Sequence, residues 1–241
     1  MQGGVAPVIY AISDLHLSTN TDKSMEVFGD KWSGYMDRIR TNWLHTVSNG
    51  DTVIIGGDVS WEMKLADCGS DFEFLSTLPG RKIILKGNHD YWWDTVSKMN
   101  AFVRENGFEN IEFINNNAFT AEDVAICGTR WWADPTSDEF RGEDRKIYEH
   151  EILRLESSLR EGIASGCSKI LAVLHYPPFT DDGRVNEDIS KLFTGYGVTK
   201  CIYGHLHGAG HSKAIEGETD GVQYLLTSAD FLNFTPKKIT F

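Results

Sequence analysis

Five apolar stretches of the chain each end in aspartate, asparagine or histidine, the side-chain types that bind divalent metal ions. In chain order they are VIYAIS before Asp14-Leu15-His16, VIIGG before Asp58, IILKG before Asn88-His89-Asp90, LAVL before His175, and IYG before His205-Leu206-His207. In D-x-H and H-x-H on an extended segment, the first and third side chains face the same side, so both can reach one ion or two adjacent ions. The clusters contain no cysteine, which argues against a thiolate site and favours zinc, iron, manganese or nickel.

The distribution of histidines supports a shared site. Five of the eight histidines lie in these clusters, namely His16, His89, His175, His205 and His207. The other three fall on predicted helix faces or in a late loop, and we expect no functional role for them: His45, His150 and His211. A single histidine after a strand is common, but the full ordered series is hard to reconcile with ordinary core histidines.

The elements that position these residues alternate between short apolar runs and longer helical patterns. The predicted strands are 8–13, 52–56, 81–86, 111–114, 123–127, 169–174 and 200–203, and β hairpins are expected around 216–221. The predicted helices are 31–48, 62–78, 94–105 and 138–163. This alternation predicts an α/β protein, which we expect to form one domain over 1–241. In such sheets the ligand crevice lies off the carboxyl ends of the strands, where the five clusters stand.

Composition and charge exclude several other classes of protein. The chain has 241 residues, of which 41% are hydrophobic and 24% charged, a globular composition unlike that of disordered, collagen-like or coiled-coil chains. Its net charge of −12 opposes binding to nucleic acid or to an anionic membrane, although bound divalent cations could reverse the sign locally.

The sequence shows no clear signal for disulfide formation, for membrane insertion or for an N-terminal leader. The four cysteines are widely spaced and form no C-x-x-C pair, so neither a zinc knuckle nor a disulfide scaffold is indicated. No apolar run reaches the roughly 20 residues that span a bilayer. The first basic residue is Lys23, so no charged leader is indicated either. We expect a cytoplasmic protein.

The ordered motifs D-x-H, G-D, G-N-H-D, H and G-H-x-H resemble those of the calcineurin-like metallophosphoesterase superfamily, over residues 14–207. The resemblance implies a four-layer α/β/β/α sandwich that holds two divalent transition-metal ions, Mn, Fe or Zn, between its strand ends. It assigns one ion to Asp14, His16 and His207 and the other to Asn88, His175 and His205, with Asp58 bridging the two.

The same resemblance implies a mechanism. His89 would contact the phosphoryl or leaving oxygen, Asp90 would orient His89, and a hydroxide bridging the metals would attack phosphorus in line. No enzyme nucleophile is required. The chain lacks the C-x5-R, D-x-D-x-T, P-loop and G-x-S-x-G motifs, so rival phosphatase and serine-hydrolase chemistries lack their residues.

The sequence departs from the protein serine/threonine phosphatases of this superfamily. Those carry an acidic residue and an arginine soon after the bridging aspartate, and GNHE in the third motif; here the motifs read GDVSW and GNHD. The chain is more similar to bacterial-type predicted phosphohydrolases. We therefore expect a small phosphomonoester or phosphodiester as substrate, with no nucleic acid, membrane or protein partner. The alternatives are a nuclease, which the net charge opposes, and a non-catalytic protein-binding scaffold, which the complete set of ligands opposes.

Tryptophans cluster near the motifs and allow two interpretations. They could form an aromatic wall that stacks on a substrate base or aryl leaving group, with Arg130 on the phosphate. Alternatively, they pack the loops around the site, which we favour for each of Trp61, Trp92, Trp93, Trp131 and Trp132.

Overall fold

The computed structural model describes residues 7–20, 23–138 and 140–241 of the chain. The strands within these ranges are β1 (Ile9–Ile12), β2 (Thr52–Ile55), β3 (Arg81–Leu85), β4 (Ile111–Ile114), β5 (Ala118–Ala121), β6 (Val124–Thr129), β7 (Lys169–Leu174), β8 (Lys200–Tyr203), β9 (Gly217–Thr219), β10 (Val222–Leu226) and β11 (Lys237–Ile239). The α-helices are α1 (Tyr35–Thr46), α2 (Gly69–Thr77), α3 (Val96–Glu105), α4 (Gly142–Ala164) and α5 (Glu187–Tyr196).

The strands of the described residues pair into two largely parallel sheets. The first has the order β11-β1-β2-β3-β4, in which only β11 runs antiparallel to its neighbour. The second has the order β5-β6-β7-β8-β10-β9, with antiparallel strands at its two edges. The parallel strands of each sheet end at the same edge, so the residues that follow them are brought together.

Three apolar clusters define the layers. The cluster between the sheets takes alternate residues from both, including Ile54 and Ile83 from the first sheet and Ile126 and Leu171 from the second. The outer face of the first sheet is covered by α1, α2 and α3 through residues such as Trp43, Phe72 and Met99. The outer face of the second sheet is covered by α4 and α5 through residues such as Leu155, Leu159 and Phe193. This arrangement is a four-layer α/β/β/α sandwich and confirms the predicted fold class.

All four predicted helices begin later in the structure than predicted, and the first two lose the most residues. The helix predicted over 31–48 begins at Tyr35, because Gly34 has φ +58° and the segment before it, Asp30–Trp32, is a 3-10 turn. The helix predicted over 62–78 is α2, preceded by a separate 3-10 turn at Leu65–Asp67. The predicted hairpin is formed by β9 and β10, but β11 pairs with β1 in the other sheet.

Helix α4 confirms the amphipathic pattern predicted for its segment. Its buried apolar residues face the second sheet, while most of its charged residues are exposed. The exception is Glu151, a carboxylate on α4 that is only 1% exposed. Among the described helices, including α4 with its 23 residues, none combines the length and the apolar character needed to cross a bilayer.

Candidate metal centre

The predicted ligands stand at the carboxyl ends of parallel strands, several of them in an unusual backbone conformation. Asp14, His16, Asp58 and His205 have φ values of 59°, 46°, 52° and 72°, in the left-handed region that non-glycine residues rarely adopt. Such conformations concentrate at functional sites because the surrounding structure must enforce them. The strand ends therefore hold these side chains in fixed directions.

Glycines allow the strand ends to approach each other. A Cβ atom on Gly87 would overlap the Asp58 carboxylate and backbone nitrogen. A Cβ atom on Gly204 would lie 2.5 Å from Oδ2 of Asp14. Gly87 therefore allows the ends of β2 and β3 to approach each other within the first sheet, and Gly204 allows the end of β8 to approach that of β1 in the other sheet.

The first ligand set gathers Asp14, His16 and His207. Nε2 of His207 lies 3.5 Å from Oδ1 of Asp14 and 3.3 Å from Nε2 of His16. Nε2 of His16 lies 3.8 Å from Oδ2 of Asp58. Asp14 and His16 are almost fully buried, and the three residues form a group whose donor atoms could bind one ion.

The second ligand set gathers Asn88, His175 and His205 around the same Asp58. Oδ1 of Asn88 lies 2.7 Å from Nε2 of His175 and 2.9 Å from Nδ1 of His205. Nε2 of His175 lies 3.5 Å from Oδ2 of Asp58. The structure thus brings all seven predicted ligands together, and one oxygen of Asp58 faces both sets.

The hydrogen-bonding chemistry of the two sets fits bound cations. Nδ1 of His175 faces the carbonyl oxygen of Gly56 at 3.0 Å and must carry the ring proton, so Nε2 of the neutral ring directs its lone pair towards Asp58. Nδ1 of His207 likewise donates to Asp230, so Nε2 directs its lone pair towards Asp14. A lone pair opposite a carboxylate is stable only with a proton or a metal ion between them. The residues therefore fit a pair of divalent ions.

The pKa values of the histidines show where protons would bind in place of metal. Burial lowers the pKa of His207, but Asp14 and Asp230 outweigh it and raise the value to about 10. Burial is likewise outweighed at His175, whose pKa Asp58 and Asp14 raise to about 9. Both rings are thus cationic at neutral pH when no ion is bound.

Asp230 belongs to the site, although it lies in none of the five sequence clusters. Its carboxylate has no exposed surface and accepts hydrogen bonds from Nδ1 of His207 at 2.9 Å and from N–H of Gly208 at 3.0 Å. Nε2 of His211 lies 3.1 Å from the same carboxylate, so His211 borders the site despite the contrary expectation. The signal in the sequence that could have indicated Asp230 is its position shortly after the apolar run that forms β10. His45 and His150 are exposed on α1 and α4, as expected.

His89 and Asp90 do not pair as the resemblance implied. The carboxylate of Asp90 accepts hydrogen bonds from N–H of Gly87, Asp58 and Val59 at 2.7, 2.9 and 2.8 Å and from Nε1 of Trp92 at 3.0 Å. Nδ1 of His89 is buried and has no hydrogen-bond partner in the described structure. In this structure Asp90 holds the loop that carries Asp58, and an orienting role of Asp90 towards His89 stays a prediction.

The His89 imidazole is instead held by aromatic neighbours. Its ring centroid lies 4.7 Å from that of Trp61, which stacks on His16 at 4.8 Å, and 6.1 Å from that of Tyr91. The N–H of His89 donates to Oδ1 of Asp58 at 2.7 Å, which fixes its backbone next to both ligand sets. His89 thus borders the site without belonging to either set.

The tryptophans near the motifs have different environments. Trp92 and Trp131 are 2% and 1% exposed, which confirms the packing interpretation for both, and Trp93 packs on Trp92 and Phe113. Trp132 lies at the surface of the site, with the guanidinium carbon of Arg130 4.4 Å from its ring centroid. Trp32, which no sequence motif indicated as a site residue, is 3% exposed and packs edge-on against His207 with ring centroids 5.6 Å apart.

Comparisons with known proteins agree with this architecture. A family model described as calcineurin-like phosphoesterase matches residues 7–209. The solved structure of phosphopantetheinyl hydrolase from Mycobacterium tuberculosis aligns with a TM-score of 0.58 and 12% identity, over 98% of this chain and 96% of that chain. A solved structure from Thermus thermophilus aligns with a TM-score of 0.53 and 8% identity, over 98% and 99% of the two chains.

A third solved structure, of a protein of unknown function from Aquifex aeolicus, aligns with a TM-score of 0.51 and 18% identity, over 96% of this chain and 95% of that chain. At these identities the similarity shows a shared fold. No curated protein sequence matches the chain significantly.

Proposed function

Because the chain belongs to the calcineurin-like phosphoesterase family, we propose that it is a hydrolase that cleaves a small phosphomonoester or phosphodiester with the help of two divalent transition-metal ions, Mn, Fe or Zn. The observation that carries this proposal is the position of Asp58. One of its carboxylate oxygens lies 3.8 Å from Nε2 of His16 and 3.5 Å from Nε2 of His175, between the two ligand sets.

The residues that would hold the ions are those of the two sets. Asp14, His16 and His207 would bind one ion, Asn88, His175 and His205 the other, and Asp58 both. Such a pair of ions lowers the pKa of a coordinated water towards neutrality and offsets negative charge on the phosphoryl oxygens. The remaining work falls to groups of the protein itself.

His89 is the protein group best placed to act on the substrate. It is partly exposed, and with Nδ1 buried, Nε2 is the nitrogen that a substrate oxygen can reach. A hydrogen bond or proton from Nε2 would stabilise the leaving oxygen. Trp61 and the backbone bond to Asp58 fix the position of the ring, so little orientational freedom is lost when substrate binds.

A small substrate is favoured over a polynucleotide. The net charge of −12 repels a phosphate backbone, and a nuclease requires a continuous basic surface. The non-catalytic scaffold is disfavoured because a protein-binding role would not require seven converging metal-binding side chains together with His89.

The proposal is tested by measuring hydrolysis of two esters, nitrophenyl phosphate and bis(nitrophenyl) phosphate. Each ester is measured with manganese, with zinc and with EDTA. We expect metal-dependent turnover of at least one ester, and its loss in a His89→Ala preparation purified in parallel excludes a contaminating phosphatase. Equal turnover by wild type and His89→Ala, or turnover that survives EDTA, would refute it.

A further inference from the structure

A group of basic side chains surrounds one buried carboxylate beside the metal centre. Glu151, which is 1% exposed, accepts hydrogen bonds from Thr129 and from Nη1 of Arg154, the latter at 2.7 Å. Nη2 of Arg130 lies 3.7 Å from the same carboxylate, within ion-pair range but too far for a hydrogen bond. Lys86, which is partly buried, follows β3 in the other sheet, on the side of the metal centre where Asn88 stands.

The charges of this group do not balance. Two arginines share one carboxylate, in a chain whose overall charge is −12. The ammonium of Lys86 makes no hydrogen bond or ion pair with any residue in the described ranges. Nε of Arg130 is buried and likewise has no partner there. A partly buried ammonium without an anionic partner is costly, and the guanidinium of Arg130 has only a long ion pair with Glu151, so these two side chains could satisfy an incoming anion.

Lys86 and Arg130 flank the second ligand set. Lys86 follows β3 and is separated from Asn88 by a single glycine. Arg130 follows β6, and its carbonyl oxygen accepts the N–H of His175 at 3.2 Å and that of Tyr176 at 3.0 Å. The two basic residues are therefore joined through short backbone links to two of the proposed metal ligands, one in each sheet.

Packing fixes the direction of the Arg130 guanidinium. It lies over the ring of Trp132, whose Nε1 donates to Asp144 at 3.0 Å. The Trp132 ring centroid lies 5.2 Å from that of Tyr176, and the Tyr176 ring centroid lies 4.2 Å from that of His205. A continuous row of rings thus connects the guanidinium to the second ligand set, and the arginine is 17% exposed.

We propose that Lys86 and Arg130 form an anion-binding subsite for a second anionic group of the substrate, a phosphate or a carboxylate separate from the phosphate that is hydrolysed. This inference rests on the proposed function and narrows the substrate class to phosphate esters that carry two anionic groups. The guanidinium offers a planar pair of donors suited to either anion, and Lys86 adds a second charge. Glu151 acts as a positioning residue for the guanidinium.

Two ligands that differ by one carboxylate test the subsite. Ethylphosphonate and 3-phosphonopropionate share the phosphonate, and only the second carries a further anion. Their dissociation constants would be measured by isothermal titration calorimetry on protein supplemented with manganese, so that the readout does not depend on turnover. We expect wild type to bind 3-phosphonopropionate about tenfold more tightly or better, the effect of one charge-assisted contact.

The measured quantity is the dissociation constant of ethylphosphonate divided by that of 3-phosphonopropionate. Arg130→Met and Lys86→Met should each reduce this ratio towards one. Arg160→Met is the matched control, because Arg160 is exposed on α4 and pairs with Glu156, and it should keep the wild-type ratio. Thermal unfolding of each variant shows whether it is folded. Arg130→Met should fold, because the buried carboxylate of Glu151 retains its hydrogen bonds with Arg154 and Thr129.

A wild-type ratio near one would overturn the subsite, as would an Arg130→Met variant that weakens both ligands equally. If no ester is hydrolysed but the ratio is high and depends on Arg130, the proposed hydrolase function fails and the subsite stands. If esters are hydrolysed and the ratio is one, the subsite fails and the hydrolase stands.

Discussion

Nδ1 of His207 lies 2.9 Å from Oδ1 of Asp230, a carboxylate with no exposed surface at the end of the second sheet. This hydrogen bond fixes the tautomer of His207 and directs Nε2 towards Asp14 and His16. Carboxylates that hold metal-binding histidines in this way also raise the basicity of the ring. Asp230 therefore controls the first ligand set without belonging to it.

Asp230→Ala should weaken binding of one of two manganese ions by roughly 10- to 100-fold, because His207 loses the group that orients it. Asp230→Asn should recover part of the affinity, since the amide oxygen can still accept from Nδ1. Calorimetric titration of manganese into metal-free protein measures both variants. Asp181→Ala, an exposed loop substitution, is the control. Wild-type affinity in Asp230→Ala would show that Asp230 has no part in metal binding.

His89→Ala should retain its metal ions and lose turnover by about 100-fold or more, the usual contribution of a positioned acid. Metal binding and turnover should respond differently to this substitution because the imidazole of His89 lies outside both ligand sets. Metal analysis by mass spectrometry and nitrophenyl ester hydrolysis would be made on the same sample. Loss of metal together with turnover would instead make His89 a ligand.

Metal binding should release protons. Acidic neighbours raise the pKa of His207 to about 10 and that of His175 to about 9, so both rings are protonated in metal-free protein at neutral pH. Ions bind only the deprotonated rings, so about two protons leave as both ions bind, and the affinity rises with pH until it levels near the higher of these pKa values, about 10.

Calorimetry in buffers of different ionisation enthalpy counts these protons. His207→Ala should lower the count by about one, because the remaining raised pKa belongs to His175. Fewer than one proton released by wild type at neutral pH would mean that these histidines are not protonated before the ions bind.

Lys82→Met should stabilise the protein. Lys82 is 0% exposed, its ammonium donates to the carbonyl oxygen of Leu78, and burial lowers its pKa from 10.5 to about 8. The unfolded chain therefore binds the proton more tightly, and the native lysine makes stability rise with pH between about 8 and 10.5. We expect the variant to gain about 1–2 kcal/mol at neutral pH and to lose most of this pH dependence.

Urea unfolding at neutral pH and at about pH 10, near the upper end of that range, measures the change. Lys98→Met, at an exposed position on α3, provides the control and should alter stability by less than about 0.5 kcal/mol. A Lys82→Met variant less stable than wild type at neutral pH would show that the ammonium contributes favourably.

Much of the fold was readable because buried parallel strands are short, continuous apolar runs. The strands β4, β7 and β8 have the bounds that were predicted, and the ligands directly follow such runs. Three elements were missed, one of which is β11, the short strand that pairs with β1 in the other sheet. Strand β5 is a half-exposed edge strand with no alternating pattern, and it forms by pairing with β6. Helix α5 is only ten residues long, although Asn186 caps its start and Gly197, at φ +68°, ends it.

The connections between loops were less accessible from the sequence. Asp230 and His207 meet through the fold rather than through a motif, because the chain between them passes through β9 and β10. The partners of Asp90 include backbone N–H groups of a loop about 30 residues away, which residue types cannot reveal. Lys82 likewise has the sequence context of an exposed strand end, and only packing by the surrounding elements buries it.

The most direct test of the dinuclear hydrolase is metal content per chain and ester turnover, measured together on wild type and on Asp58→Asn. Wild type should hold two ions, and removal by EDTA followed by stepwise return of manganese should restore turnover only as the second ion binds. Asp58→Asn should lose ions and turnover together, because its missing oxygen faces both ligand sets. Two ions retained in Asp58→Asn, or full wild-type turnover with one ion or none, would contradict the account.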